Sequence, residues 1–92
     1  MISLSQLIDL FVSNNLLSKY HLKNIGVFGS ILHTDYPNDI DLFVEDFRDY
    51  NDLLGLKTEI ESKTGKSVDI VIEKYASPII TYRAKKELRY VA

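Results

Sequence analysis

Three aspartates carry the clearest chemical signal in this 92-residue chain, and two of them lie close together. Asp39 and Asp41 lie two apart in the run 39–44, where alternating polar and apolar residues predict a β-strand. Both carboxylates then leave the same face of the strand, about 6.6 Å apart along it. Two carboxylates so placed repel each other unless a cation lies between them, so the pair indicates a metal site.

The third aspartate is Asp69, which interrupts the apolar run 68–72. This run predicts a second strand, with Val68, Ile70 and Ile72 facing the core and Asp69 pointing away from it. If the two strands are neighbours, the three carboxylates converge. Hard oxygen ligands suit Mg²⁺ or Mn²⁺, and three carboxylates can hold two ions about 3.5 to 4 Å apart, as in phosphoryl and nucleotidyl transfer.

A glycine-serine pair comes before the aspartates along the chain. The run 25–28 predicts a strand that ends at Gly29-Ser30, and eight residues separate Ser30 from Asp39. Glycine allows the backbone to approach a ligand closely. If a helical turn begins here, its free N–H groups and the Ser30 hydroxyl would face an anion. The pair gains its meaning from the aspartates that follow.

Each of these signals has a simpler interpretation. Asp39 and Asp41 could be exposed acids of a half-exposed strand. Residues 35–52 hold seven of the 13 acidic residues, and the other five of these favour a solvated rim: Asp35, Glu45, Asp46, Asp49 and Asp52. His33 is a lone histidine of the type found at surfaces, with nucleotide contact as the alternative. The basic residues of the last helix are of the type found on a solvated helix face, with contact to the triphosphate or to an acidic partner as the alternative. These residues are Arg83, Lys85 and Lys86.

Helices and strands with clear periodicity must position these residues. Apolar residues at helical spacing predict a first helix over 4–13, capped by Ser3 or Ser5. A second helix over 51–63 is capped by Asn51 or Asp52 and stopped by Gly65, and a third over 77–87 begins at Ser77-Pro78. The order helix, strand, turn, strand, helix, strand, helix predicts an α/β fold with a small mixed sheet of three to four strands and flanking helices.

Composition narrows the functional classes. The chain is 46% hydrophobic and has no cysteine, which excludes disulfides, thiolate zinc sites and cysteine nucleophiles and fits a cytoplasmic protein. No signal peptide or membrane span is predicted. A net charge of -2 argues against direct nucleic-acid binding. The length predicts one domain over 1–92, too small to carry a second domain that would shape a substrate pocket.

Together, the motifs resemble those of a known family. The runs 27–30, 39–44 and 68–71, with the closing segment 77–91, resemble the minimal nucleotidyltransferases (MNT type) of the DNA polymerase β superfamily. The resemblance implies the polymerase β-like fold and a Mg²⁺-dependent transfer of a nucleoside monophosphate, AMP from ATP, to a hydroxyl. It implies that Gly29 and Ser30 bind the triphosphate, that Asp39 and Asp41 bind two metal ions, and that Asp69 completes the site and helps deprotonate the acceptor.

The resemblance also implies a partner. Members of this type are often the antitoxin of a pair with a HEPN-type ribonuclease, which they adenylylate on a tyrosine, so we expect a hetero-oligomer or homo-oligomer. The loop after Ser30 is shorter than is usual in the family and has Ile31, Leu32 and His33 where the family carries an arginine and a glycine. Two alternatives therefore stay open: a catalytically inactive module that neutralises its partner by binding, and one subunit of a small-molecule nucleotidyltransferase.

Overall fold

A computed structural model describes all 92 residues as four helices packed on a four-stranded mixed sheet. The helices are α1 Leu4–Ser13, α2 Leu16–Lys19, α3 Tyr50–Thr64 and α4 Pro78–Glu87. The strands are β1 Gly26–Phe28, β2 Asp39–Val44, β3 Ser67–Ile72 and β4 Arg89–Tyr90, in the order β3-β2-β1-β4. Strand β2 pairs parallel with β3 and antiparallel with β1, and β1 pairs antiparallel with β4. The α/β class and the mixed sheet are confirmed.

One face of the sheet carries the main core. Ile40, Leu42 and Val44 alternate along β2 and are fully buried, as their spacing predicts. They belong to a single apolar cluster with residues of α1 and α3: Leu7, Phe11, Leu53, Leu56 and Ile60. Val68 is also buried, but Ile70 and Ile72 are only partly buried, because β3 lies at the edge of the sheet.

The helix boundaries follow local capping chemistry. Ser3 caps α1 in a reciprocal arrangement, accepting from the Gln6 N–H at 3.1 Å while the Gln6 side chain accepts from the Ser3 N–H at 2.9 Å. Ser77 caps α4 with Pro78 as its first residue, and Gly65 ends α3 in a left-handed conformation. These predictions are confirmed. None of the helices is long and apolar enough to cross a membrane.

The predicted cap of α3 is wrong. Asp49 caps this helix, because its carboxylate accepts the Asn51 N–H at 2.8 Å while its own backbone stays extended. Asp52 lies inside the first turn and pairs with Arg48 at 3.3 Å. Several acids stand side by side here, and the sequence alone does not single out the one with extended backbone.

The opposite face of the sheet carries fewer buried residues. Phe43 points away from the main core yet is buried, and it contacts Phe28 edge to face with ring centroids 6.4 Å apart. Ala84 of α4 is fully buried, and Lys85 of the same helix pairs with Glu73, which follows β3. After α4 the chain returns to the sheet as β4, a strand of two residues that the predicted element order lacks because it is too short to show a period.

Candidate active site

The three aspartates lie on the face of the sheet that carries Phe43, opposite the main core. Asp41 and Asp69 are direct partners across the parallel pairing of β2 and β3, and Asp39 lies two residues before Asp41 on the same strand. The prediction that these two strands are neighbours is confirmed. Asp39 and Asp69 are exposed and Asp41 is half-buried. Two adjacent strands therefore present all three carboxylates from one face.

The electrostatics of this group centre on Asp41. Burial raises the pKa of the Asp41 carboxyl, and the negative charges of Asp69 and Asp39 raise it further. Asp39 and Asp69 are thus close enough to Asp41 to disfavour its ionised form. A cation among them would remove that cost and lower the pKa of Asp41 again.

The donor set fits a magnesium-type ion only in part. Carboxylate oxygens are the ligands such ions prefer, and the repulsion at Asp41 is what a cation offsets. However, no three His, Asp or Glu side chains lie close enough together to hold a metal ion by themselves. Because Mg²⁺ keeps several waters and takes ligands from substrate phosphates, Asp39, Asp41 and Asp69 could supply part of a coordination shell that a nucleotide completes.

The end of β1 lies directly beside Asp41. Phe28 is the antiparallel partner of Asp41, and the next residue is Gly29, with φ 83° and ψ -155°, a combination that essentially only glycine adopts. A β-carbon at Gly29 would collide with the Asp41 carboxylate. Ser30 then opens a single 3-10 turn, Ser30–Leu32, and is exposed. The predicted helical turn is confirmed, and the glycine is required by both conformation and space.

Glu87, the last residue of α4, is a site residue that the sequence pattern does not predict. The Gly29 N–H donates to Glu87 Oε1 at 3.1 Å, and Glu87 Oε2 lies 3.1 Å from His33 Nε2. The hydrogen bond with His33, and then the one with Gly29, lowers the pKa of the Glu87 carboxyl. Glu87 comes close to Gly29 because β4, which follows it in the chain, pairs with β1. A strand of two residues is too short for its pairing to be predicted from the sequence.

Two clefts flank this region. A cleft of about 500 Å³ lies around Glu87, lined by Leu4, Leu32, His33, Lys86, Glu87, Leu88 and Arg89. A smaller cleft of about 210 Å³ lies beside Asp69, and most of the residues that line it are apolar. Its lining residues are Tyr50, Leu53, Leu54, Lys57, Asp69, Ile70 and Ile72. Of the basic residues singled out from the sequence, Lys86 lines the larger cleft, Lys85 pairs with Glu73 and Arg83 is exposed.

The fold of this chain is similar to that of chains in solved toxin–antitoxin complexes. One is the tri-AMPylated Shewanella oneidensis HEPN toxin in complex with MNT antitoxin, with TM-score 0.66, 24% identity, and coverage of 95% of this chain and 71% of the matched one. A toxin–antitoxin with AMP-PNP gives TM-score 0.67 and 26% identity over 87% and 69%. The toxin–antitoxin MntA-HepT gives 0.65 and 23% over 95% and 71%.

Comparison by sequence gives the family. No curated protein matches the chain. The model of the family described as polymerase beta, nucleotidyltransferase matches residues 8–91, which include all four strands and every residue of the candidate site. Since that match spans nearly the whole chain and the mixed sheet agrees with the solved structures, this chain belongs to the polymerase β nucleotidyltransferase family and is a nucleotidyltransferase domain.

Proposed function

We propose that this protein transfers AMP from ATP to a hydroxyl group of a HEPN-type toxin and is the antitoxin of that pair. Two similar structures support the reaction, since one holds an AMPylated HEPN toxin with its MNT antitoxin and another holds AMP-PNP. On this chain, the observation that carries the proposal is the pairing of Asp41 with Asp69, with Asp39 on the same face and Gly29 against Asp41.

The proposed roles follow from that placement. Gly29 and Ser30 bind the triphosphate at the end of β1, beside Asp41. Asp39 and Asp41 would hold Mg²⁺ or Mn²⁺, with two ions expected, and Asp69 would complete the set. When bound, such ions neutralise charge on the transferred phosphoryl group and orient it.

In the proposed transfer, Asp69 takes the proton of the acceptor hydroxyl. The acceptor oxygen forms a bond to the α-phosphorus of ATP as the bond from that phosphorus to the bridging oxygen breaks. The electron pair leaves with pyrophosphate, and AMP stays on the acceptor. Asp69 is exposed and lines the small cleft at the sheet edge, so a hydroxyl presented by another protein can reach it.

The residues 1–92 would act as one minimal nucleotidyltransferase domain whose acceptor is supplied by the partner protein. The absence of cysteine supports a cytoplasmic location for the pair. We propose no direct contact with nucleic acid or membrane, and an oligomer with the toxin as the working form.

The test is AMP transfer from α-labelled ATP to the purified toxin partner with Mg²⁺. The double variant Asp39→Asn, Asp41→Asn should lose at least about 100-fold of the transfer rate, because it removes the carboxylates that would hold the metal ions. Asp46→Asn, an exposed acid just after β2, is the matched control and should transfer normally. Circular dichroism of both variants checks the fold, and unchanged transfer by a folded double variant would contradict the proposal.

A second candidate function is a catalytically inactive module that neutralises the toxin by binding alone. It is favoured by one observation: no three acidic or histidine side chains lie close enough to hold a metal ion as they stand. Titration with AMP-PNP and Mg²⁺ separates the two. For the enzyme, ligand at 100 times Kd should stabilise the chain by about 2.7 kcal/mol and raise the unfolding temperature. No change at millimolar ligand, with tight binding to the toxin, would favour the inactive module.

A further inference from the structure

The Glu87 carboxylate lies where the backbone of the Gly29-Ser30 turn offers a hydrogen bond to an anion. Its two oxygens are each within 3.1 Å of a nitrogen, one on the Gly29 backbone and one on the His33 ring. The partners are 58 and 54 residues away in sequence, so the fold and not a local turn creates the contacts. A backbone N–H in a glycine turn and an imidazole can bind phosphate oxygens as well as carboxylate oxygens.

The surroundings of Glu87 carry the opposite charge. The cleft of about 500 Å³ around it contains Lys86, Arg89 and His33, and Glu87 is its one acidic residue. Walls with this charge attract an anion with several negative groups, such as a polyphosphate. The cleft is therefore suited to a phosphate chain except at the point that Glu87 occupies.

The contact is one that a ligand can replace. The side chain of Glu87 is 38% exposed and that of His33 is 69% exposed, so the carboxylate can turn into water without opening the core. Neither residue belongs to the main apolar cluster. Water offers the released carboxylate full solvation, and a phosphate group offers the Gly29 N–H an equivalent acceptor.

We propose that the Gly29 N–H and His33 form the site for the terminal phosphate of the nucleotide, and that Glu87 is an internal competitor that occupies this site until nucleotide displaces it. The identity of the ligand rests on the proposed function. The apparent Kd then equals the intrinsic Kd divided by the fraction of molecules in which Glu87 has left the site. His33 thus has two successive partners, the carboxylate and then the phosphate.

The test compares the affinity of the full chain for AMP-PNP with Mg²⁺ by calorimetry. Glu87→Gln keeps an oxygen that can accept the Gly29 N–H but removes the charge that competes with phosphate, so it should bind at least about fivefold tighter. Glu73→Gln is the matched control, because it makes the same change of charge at a residue that pairs with α4 outside the cleft. It should bind as the unchanged protein does. Adding His33→Ala to Glu87→Gln should abolish the gain.

Each outcome decides between the proposals. Equal binding of AMP-PNP by the unchanged protein and a folded Glu87→Gln variant overturns the competitor role and leaves the proposed function standing. An equal gain from Glu73→Gln also overturns it, since the effect would then be general charge. If Glu87→Gln gains affinity for tripolyphosphate but neither protein binds AMP-PNP, the competitor role stands and the proposed function fails. Binding of neither ligand by either protein overturns both.

A second measurement follows the contact directly. The amide signal of Gly29 in a proton–nitrogen correlation spectrum should move when Glu87 is replaced by alanine, because the hydrogen bond to the carboxylate is lost. Saturation of the unchanged protein with tripolyphosphate should also move this signal as the acceptor changes. A Gly29 signal that stays in place at saturation would overturn the displacement.

Discussion

The two faces of the sheet are built from the same strands and serve different ends. On one face of β2, Ile40, Leu42 and Val44 are fully buried in a cluster that draws on α1, α2 and α3. On the other face of the same strand, Asp39 is exposed, Asp41 is half-buried and only Phe43 is buried. Apolar burial on the first face offsets the loss of conformational entropy on folding. The second face can therefore hold groups that repel one another.

The largest effect should come from breaking the core face. Leu42→Ala should lower the free energy of unfolding by about 2 to 5 kcal/mol, because Leu42 is fully buried and its loss leaves a cavity. The measurement is urea unfolding followed by circular dichroism.

The control for that change is the adjacent residue on the other face. Asp41→Asn should leave the free energy of unfolding the same or slightly higher, because burial and the charges of Asp69 and Asp39 disfavour the ionised carboxylate. If Asp41→Asn destabilises the chain as much as Leu42→Ala does, the division of labour between the two faces is wrong.

An intermediate effect should come from the turn at the end of β1. Gly29→Ala should cost about 1 to 3 kcal/mol, because residue 29 has a conformation that alanine adopts poorly and its β-carbon would collide with Asp41. It should also weaken the binding of AMP-PNP, since the turn must move. Thermal unfolding and calorimetry measure the two effects.

Gly65→Ala is the matched control for this turn. Gly65 also has a positive φ, 71°, but nothing lies within 4 Å of the β-carbon that a substitution would add. This variant should lose about 1 to 2 kcal/mol from strain alone and bind AMP-PNP normally. Equal losses of binding in the two variants would show that the contact with Asp41 does not matter.

The two faces also differ in how far the sequence predicts them. Periodicity predicts the core face well, since Leu42 and its alternating neighbours follow the period of two of a β-strand. The same alternation places Asp41 and Asp69 on the opposite face, where they are partners across β2 and β3. Such patterns do not predict the role of Glu87, because its contacts are with Gly29 and His33, which lie 58 and 54 residues away in the sequence. The cap at Asp49 is not predicted because several acidic residues lie close together in residues 45–52, and each of them could cap the helix.

The smallest effect on stability should come from the charged group that joins α2 and α3, the helices packed on the core face. Glu59 of α3 accepts from Lys19 at 2.7 Å and from the Tyr20 hydroxyl at 2.6 Å, which ties the end of α2 to α3. These hydrogen bonds, the one from Lys19 first, lower the pKa of Glu59 below its ordinary value of 4.5. A lowered carboxyl pKa stabilises the fold above 4.5, and the stabilisation is lost as the pH falls through the folded value.

Glu59→Gln should therefore lower the unfolding temperature at pH 7 by no more than about 4 °C, and the difference from the unchanged protein should shrink as the pH is lowered towards 3. Thermal unfolding by circular dichroism across this pH range measures it. The control is Asp9→Asn, because Asp9 is an exposed acid. Glu61→Gln is unsuitable as a control, because Glu61 accepts the Val68 N–H. A loss at pH 7 as large as that of Leu42→Ala would mean that charge, and not apolar burial, stabilises the core side.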